Sequence, residues 1–118
     1  MPTPNINPQS DPTLFAPIST YWLTLQPQYS RLRQACVDDQ QREDLDQRYG
    51  DAEAAYWAAV RHALVDNNAT VKELVGELNQ ITTDLTTNLQ TLQNIAAVIN
   101  LIAQGAKLAA SLVTLAAP

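Results

Sequence analysis

Few side chains in this sequence have the types and spacings that chemistry uses. His62 is the single histidine, set in VRHALV, with no carboxylate at the three-residue spacing by which helix bundles hold a di-iron centre. Asp39, Glu43 and Asp46 share a helix face, an arrangement a hard cation could use, but Arg42 stands among them and ion pairing accounts for the group. Cys36 is the only cysteine, so it has no intrachain disulfide partner and reads as a small buried thiol. No glycine-rich phosphate loop, no paired cysteines and no Ser, His and Asp set in a suggestive context occurs. The expectation is a protein that is not an enzyme, with no catalytic residue, no metal ligand and no cofactor.

Charge excludes a further class. Seven basic residues against twelve acidic ones leave a net charge of -5, and the basic residues form no patch. Nucleic acid, whose binding rests on clustered Lys and Arg neutralising phosphates, is therefore not an expected partner. The opening MPTPNINPQSDPTLF lacks a basic segment followed by an apolar one, so the chain reads as cytoplasmic, or exported without a cleaved signal peptide.

The elements that would carry any site are helices. Six of the seven prolines fall in the first 27 residues, and the chain then runs free of proline to Pro118. Such a stretch, rich in Ala, Leu, Gln and Arg, predicts an all-α fold. The spaced prolines predict an extended arm over residues 1–27, ending in a short apolar segment of Tyr21, Trp22, Leu23 and Leu25 that serves as a docking flap. Residues 28–118 then read as an antiparallel hairpin of two long helices, about 28–65 and 70–117. The first carries a seam through Leu45, Tyr49, Ala52, Tyr56, Ala59 and Ala63, with Asp38–Arg42 and Asp44–Arg48 at the spacing of helical ion pairs. Val65 to Ala69 supplies the turn, and Thr70 with Glu73 has the spacing of a capping box.

The second helix has the more regular pattern. Val71, Leu78, Leu85, Leu92, Ile99, Ala106 and Val113 occupy one heptad position, and Leu74, Ile81, Asn88, Ile95, Ile102, Ala109 and Ala116 the other. An unbroken heptad predicts coiled-coil-like packing, with Asn88 as the polar residue that sets register. Folding about Asn67 would bring Asp51 beside Thr83 and Asp38 beside Ala96. Beyond Asn94 the apolar face widens: Leu101, Leu108 and Leu115 form one further row, Val98 and Leu112 another, and Ala96, Ala103 and Ala110 a last. Only the strip Asn100, Gln104, Lys107, Ser111, Thr114 stays polar. A helix apolar on most sides needs protein or lipid around it. Twenty-three residues from Ile95 to Ala117 are long enough for a bilayer of about 30 Å, but Asn100 and Lys107 oppose insertion.

Val98, Leu101, Leu108, Leu112 and Leu115, together with Trp57 as an aromatic anchor of the kind enriched at interface centres, are thus the candidate partner-binding residues. A chain of this kind resembles the WXG100-type secreted hairpins, and Tyr49 with Glu53 matches a Tyr-x-x-x-Glu pattern. That family places Trp-x-Gly in the turn, where this chain has Asp66, Asn67 and Asn68, so no residue role is carried over. The resemblance implies service to a secretion machine. Together these features predict an adaptor, chaperone or immunity-type protein packing its helices against itself or a larger protein, its hairpin completed by oligomerisation or that partner. A membrane-active hairpin is the second expectation.

Overall fold

A computed structural model describes residues 12–66 and 68–116, and these are helical with short connections. Helix α1 spans Pro12–Leu25, a single 3-10 turn covers Gln26–Gln28, and α2 (Tyr29–Ala35) continues from it. Helices α3 (Asp39–Arg61), α4 (Ala69–Thr91) and α5 (Ile95–Ala116) follow. All-α is the observed class. Residues 1–11 of the expected arm lie outside the described residues. From residue 12 onward, helix replaces the expected extended chain and short flap.

The prolines obscure α1, and its burial pattern explains why it forms. Pro12 sits at the first helical position, where a missing amide costs nothing. Pro17 forgoes one ladder bond a turn and a half later. Against that loss stands a continuous apolar stripe, Leu14, Ile18, Tyr21, Trp22 and Leu25, all buried. At about 1.5–3 kcal/mol for each large side chain taken from water, the stripe outweighs the proline. The docking residues are therefore core residues, except Leu23, which faces solvent.

Both long helices expected from the sequence are broken. The first stops at Cys36, whose backbone is extended, and α3 restarts after Asp38. Asp38 is an N-cap: its Oδ1 accepts the Gln41 amide at 2.8 Å, while Gln41 Oε1 accepts the Val37 amide at 2.8 Å. This reciprocal arrangement satisfies amides that a helix start leaves orphaned. The aspartate expected to pair with Arg42 is spent on the cap, and Arg42 pairs with Asp39 at 2.5 Å instead. The Asp44–Arg48 pair forms at 3.2 Å. Asn68, through Oδ1, caps α4 by accepting from Val71, the role expected of Thr70. The second helix stops at Leu92, which adopts the left-handed conformation, φ 49 and ψ 42. That conformation costs a leucine about 1–2 kcal/mol. Asn94 then caps α5 by accepting the Ala97 amide at 3.1 Å.

Two adjacent hairpins result, α1–α3 and α4–α5, and they pack as a four-helix bundle with α3 and α4 at opposite corners. The connection from α3 to α4 therefore crosses one end of the bundle. There the Val65 amide donates to the Ala116 carbonyl at 2.8 Å, joining the end of α3 to the end of α5. Helices α3 and α5 run parallel, so Asp51 lies near Ala103 and Lys107 rather than beside Thr83. Small residues decide this pairing. Ala52, Ala55 and Ala59 of α3 and Ala106 and Ala109 of α5 are buried, and such stripes let two helices approach closely, whereas α4 brings Val71, Leu78, Leu85 and Leu89 to the centre.

Aromatic rings fasten α1 and α2 to α3. Phe15 meets Tyr56 with centroids 6.1 Å apart, Trp22 meets Tyr49 at 5.0 Å, and Tyr29 meets Tyr49 at 4.4 Å. Each such pair contributes about 0.5–1.5 kcal/mol beyond its buried area. At the centre, the Tyr21 hydroxyl donates to the Ile102 carbonyl at 2.7 Å, and its ring lies over Gly105. Burial, then the nearby Asp51, pushes the Tyr21 hydroxyl far above the usual tyrosine range. In α4, Thr82, Thr83, Thr86 and Thr87 each return their hydroxyls to the carbonyl four residues earlier, at 2.9–3.1 Å. A threonine-rich helix thereby satisfies its own polar groups.

Candidate interaction surface

The apolar rows of α5 meet different fates, and that separates structural residues from available ones. Val98 and Leu112 are buried in the bundle, and Leu101 and Leu108 are half-buried against its core. Leu115 remains 41% exposed. Trp57 is 48% exposed, edge-on to Tyr56 at 5.3 Å, and it stands outside the surface formed by α5. Asn88 donates its Nδ2 to the Asp84 carbonyl of its own helix at 2.8 Å. Of the six candidate partner-binding residues, Val98 and Leu112 thus lie in the core, Leu101 and Leu108 are half-buried, and Leu115 and Trp57 remain exposed.

What the structure assembles is a trough between the parallel helices α3 and α5. Ala54, Ala55 and Ala58 form one wall and Ala103, Ala106, Ala110 and Val113 the other, enclosing about 650 Å³. Ala55 and Ala106 belong both to the buried contact and to the trough, and the outer alanines beside them leave a shallow concavity outside the contact line. It continues toward the start of α5 past Ala96, Ile99 and Asn100, and toward its end past Ser111, Thr114 and Leu115. The available surface therefore follows α5 along nearly its whole length. The alanine row Ala96, Ala103, Ala110 borders it, a row that the sequence pattern marks as apolar but that lacks the bulk usually associated with an anchor.

Charges stand on the rims. Arg48 Nε lies 3.2 Å from Asp44 and its Nη1 lies 4.0 Å from Asp51, so the α3 rim is internally neutralised in part. Lys107, on the α5 rim, has no ion pair among the described residues. An acidic side chain on an incoming surface has its natural counterpart there.

The other chemically interesting side chains serve local structure. Asp46 accepts from the Tyr29 hydroxyl at 2.5 Å and from Arg33 at 3.4 Å, and these contacts, the tyrosine first, hold its carboxyl below the usual range. Cys36 donates its thiol to the Leu32 carbonyl at 3.4 Å, and burial raises its pKa. His62 ends α3, its amide bonded to Ala58. Among the described residues, no three His, Cys, Asp or Glu side chains group as they would around a metal ion.

Comparison with protein-family models, with curated proteins and with solved structures found no match.

Proposed function

We infer that this protein is a non-enzymatic helical interaction module, working by packing helices against another polypeptide chain along the α3–α5 face. The observation that carries this reading is the trough of about 650 Å³ walled by alanines of two parallel helices. Its length and small-residue walls suit the side chains of one incoming helix, and Lys107, without an ion pair among the described residues, favours a carboxylate beside that helix's apolar stripe. The test is sedimentation together with a surface-sensitive fluorescent dye. The native protein is expected to self-associate or to bind the dye. Ala110→Glu and Ala54→Glu, both at exposed positions, are expected to abolish that behaviour without altering the helical circular dichroism. A native protein that stays monomeric and binds no dye refutes the reading.

A membrane-active role is the second reading, favoured by one observation. Helix α5 is long and apolar enough to cross a bilayer, and less than half of its most apolar window is buried. Leakage of phospholipid vesicles with the full chain and with Lys107→Glu tests it, since leakage at background for both removes the idea.

A further inference from the structure

At the α4–α5 corner the local sequence and the fold pull in different directions. Leu92, Gln93 and Asn94 include neither glycine nor proline, and Leu92 is held left-handed, where a leucine side chain crowds the backbone. The apolar seam also steps through the corner without losing phase. Leu85, Leu92 and Ile99 stay seven apart, as do Asn88, Ile95 and Ile102, although a chain reversal imposes no such phase. A continuous helix does.

Two side chains secure the corner. Asn94 Oδ1 caps α5 through the Ala97 amide at 3.1 Å, and Arg31 Nη1 from α2 donates to the Leu89 carbonyl at 2.6 Å. Neither contact is needed in an unbroken helix, where Leu89 would accept from the Gln93 amide and Ala97 would donate to the Gln93 carbonyl.

We propose that two copies of this chain exchange α5 by straightening the 92–94 corner. The proposal goes beyond the helix-packing reading above, because the exchange re-forms the present core and leaves the α3–α5 trough open, and it names the partner as a second copy. Straightened, residues 69–116 make a rod of about 70 Å, longer than the 52 Å long axis of the bundle, so α5 leaves its own core entirely. Two such rods cross antiparallel at Gln93, and each α5 enters the other copy beside α4, α3 and α1 in its present orientation. The Tyr21–Ile102 hydrogen bond, the Gly105 niche and the alanine contacts with α3 all re-form between copies. Leu92 leaves the left-handed region and joins the seam. Short strained hinges favour such exchange, and here the recovered core is the same core.

Sedimentation of the full chain, refolded at low and at high concentration, tests the exchange with two hinge variants. Asn94→Ala removes one cap from each of the two closed chains that form a dimer and is expected to raise the dimerisation constant roughly thirtyfold. Leu92→Gly relaxes the corner and weakens the straight helix, and is expected to lower it. A mixing experiment then separates exchange from side-by-side association. Gly105→Ala clashes with Tyr21 of whichever bundle receives that α5. Refolded with Tyr21→Ala, it is expected to yield heterodimer in excess of the random proportion, because one α5 then meets a vacated niche and the other a native one. Random proportions, or hinge variants that leave the dimer fraction unchanged, overturn the exchange. If Ala110→Glu alone alters association, the helix-packing reading stands without it. Association only in the presence of phosphatidylcholine–phosphatidylglycerol vesicles overturns the exchange in favour of a lipid destination for α5.

Discussion

Gly105 offers a sharp test of how the bundle is packed, because helix propensity and packing make opposite predictions for its replacement by alanine. In a helix interior, alanine is favoured over glycine by about 0.8–1.0 kcal/mol. At Gly76 and Gly50 nothing lies within 4 Å of an added Cβ, so Gly76→Ala should raise stability by close to that amount. At Gly105 the added carbon would overlap Tyr21, lying 2.7 Å from Cζ and 2.9 Å from Cδ1. The ring has little room to retreat, since it is fully buried and its hydroxyl is tied to the Ile102 carbonyl. Overpacking costs about 1–3 kcal/mol, and a hydrogen bond lost as the ring moves costs about 1 more. Subtracting the propensity gain leaves a net loss of about 2 kcal/mol, which lowers the melting temperature by about 8 °C at ~4 °C per kcal/mol. Urea and thermal denaturation of both variants, at a concentration where the protein is monomeric, give the comparison. If Gly105→Ala proves as stable as Gly76→Ala, Tyr21 does not occupy the niche, and the placement of α1 against α5 is wrong.

Asp38→Ala removes the cap of α3 and should cost about 1 kcal/mol by urea denaturation, with Asp38→Asn retaining most of the stability; an effect equal for both would assign the loss to charge. Asp46 has its pKa lowered in the folded chain, so its contribution is present above the ordinary aspartate range of about 3.9 and lost as pH falls through its depressed value. Asp46→Asn should therefore flatten the acid limb of a stability profile while changing little at alkaline pH beyond the loss of its contacts. Cys36, buried and with a raised pKa, should react slowly with a thiol reagent in the native protein and rapidly in urea; fast native labelling would mean that the α2–α3 junction opens readily.

The parts of this fold that could be read from the sequence are those set by local chemistry. The long proline-free stretch points to the helical class, the Val65 to Ala69 segment to a break between helices though not to its crossing of the bundle end, and Asp44–Arg48 to an ion pair. Helix α1 is masked by its prolines, whose spacing points to extended chain, although the period of Leu14, Ile18, Tyr21 and Leu25 makes a buried stripe that outweighs one missing amide. The break at Asp38 had a visible signal, Asp-x-x-Gln, which competes with an Asp–Arg pairing at the same residue. The break at Leu92 had no local signal, since a leucine turns left-handed only when tertiary packing requires it. Which helices would be neighbours was not legible either. A stripe records that a face is buried without naming what covers it, and the alanines that bring α3 and α5 together read as filler until both helices are seen side by side.

The order of the two hairpins along the chain has a consequence for synthesis. The α1–α3 hairpin ends at Arg61 and α5, which packs against α3, ends at Ala116, about 55 residues later. At roughly 10 residues per second, the aromatic hairpin waits on the order of 5 s after its own translation with Leu14, Ile18, Leu45 and Ala55 uncovered. During that interval, on a polysome, the nearest unfilled core belongs to a neighbouring nascent chain.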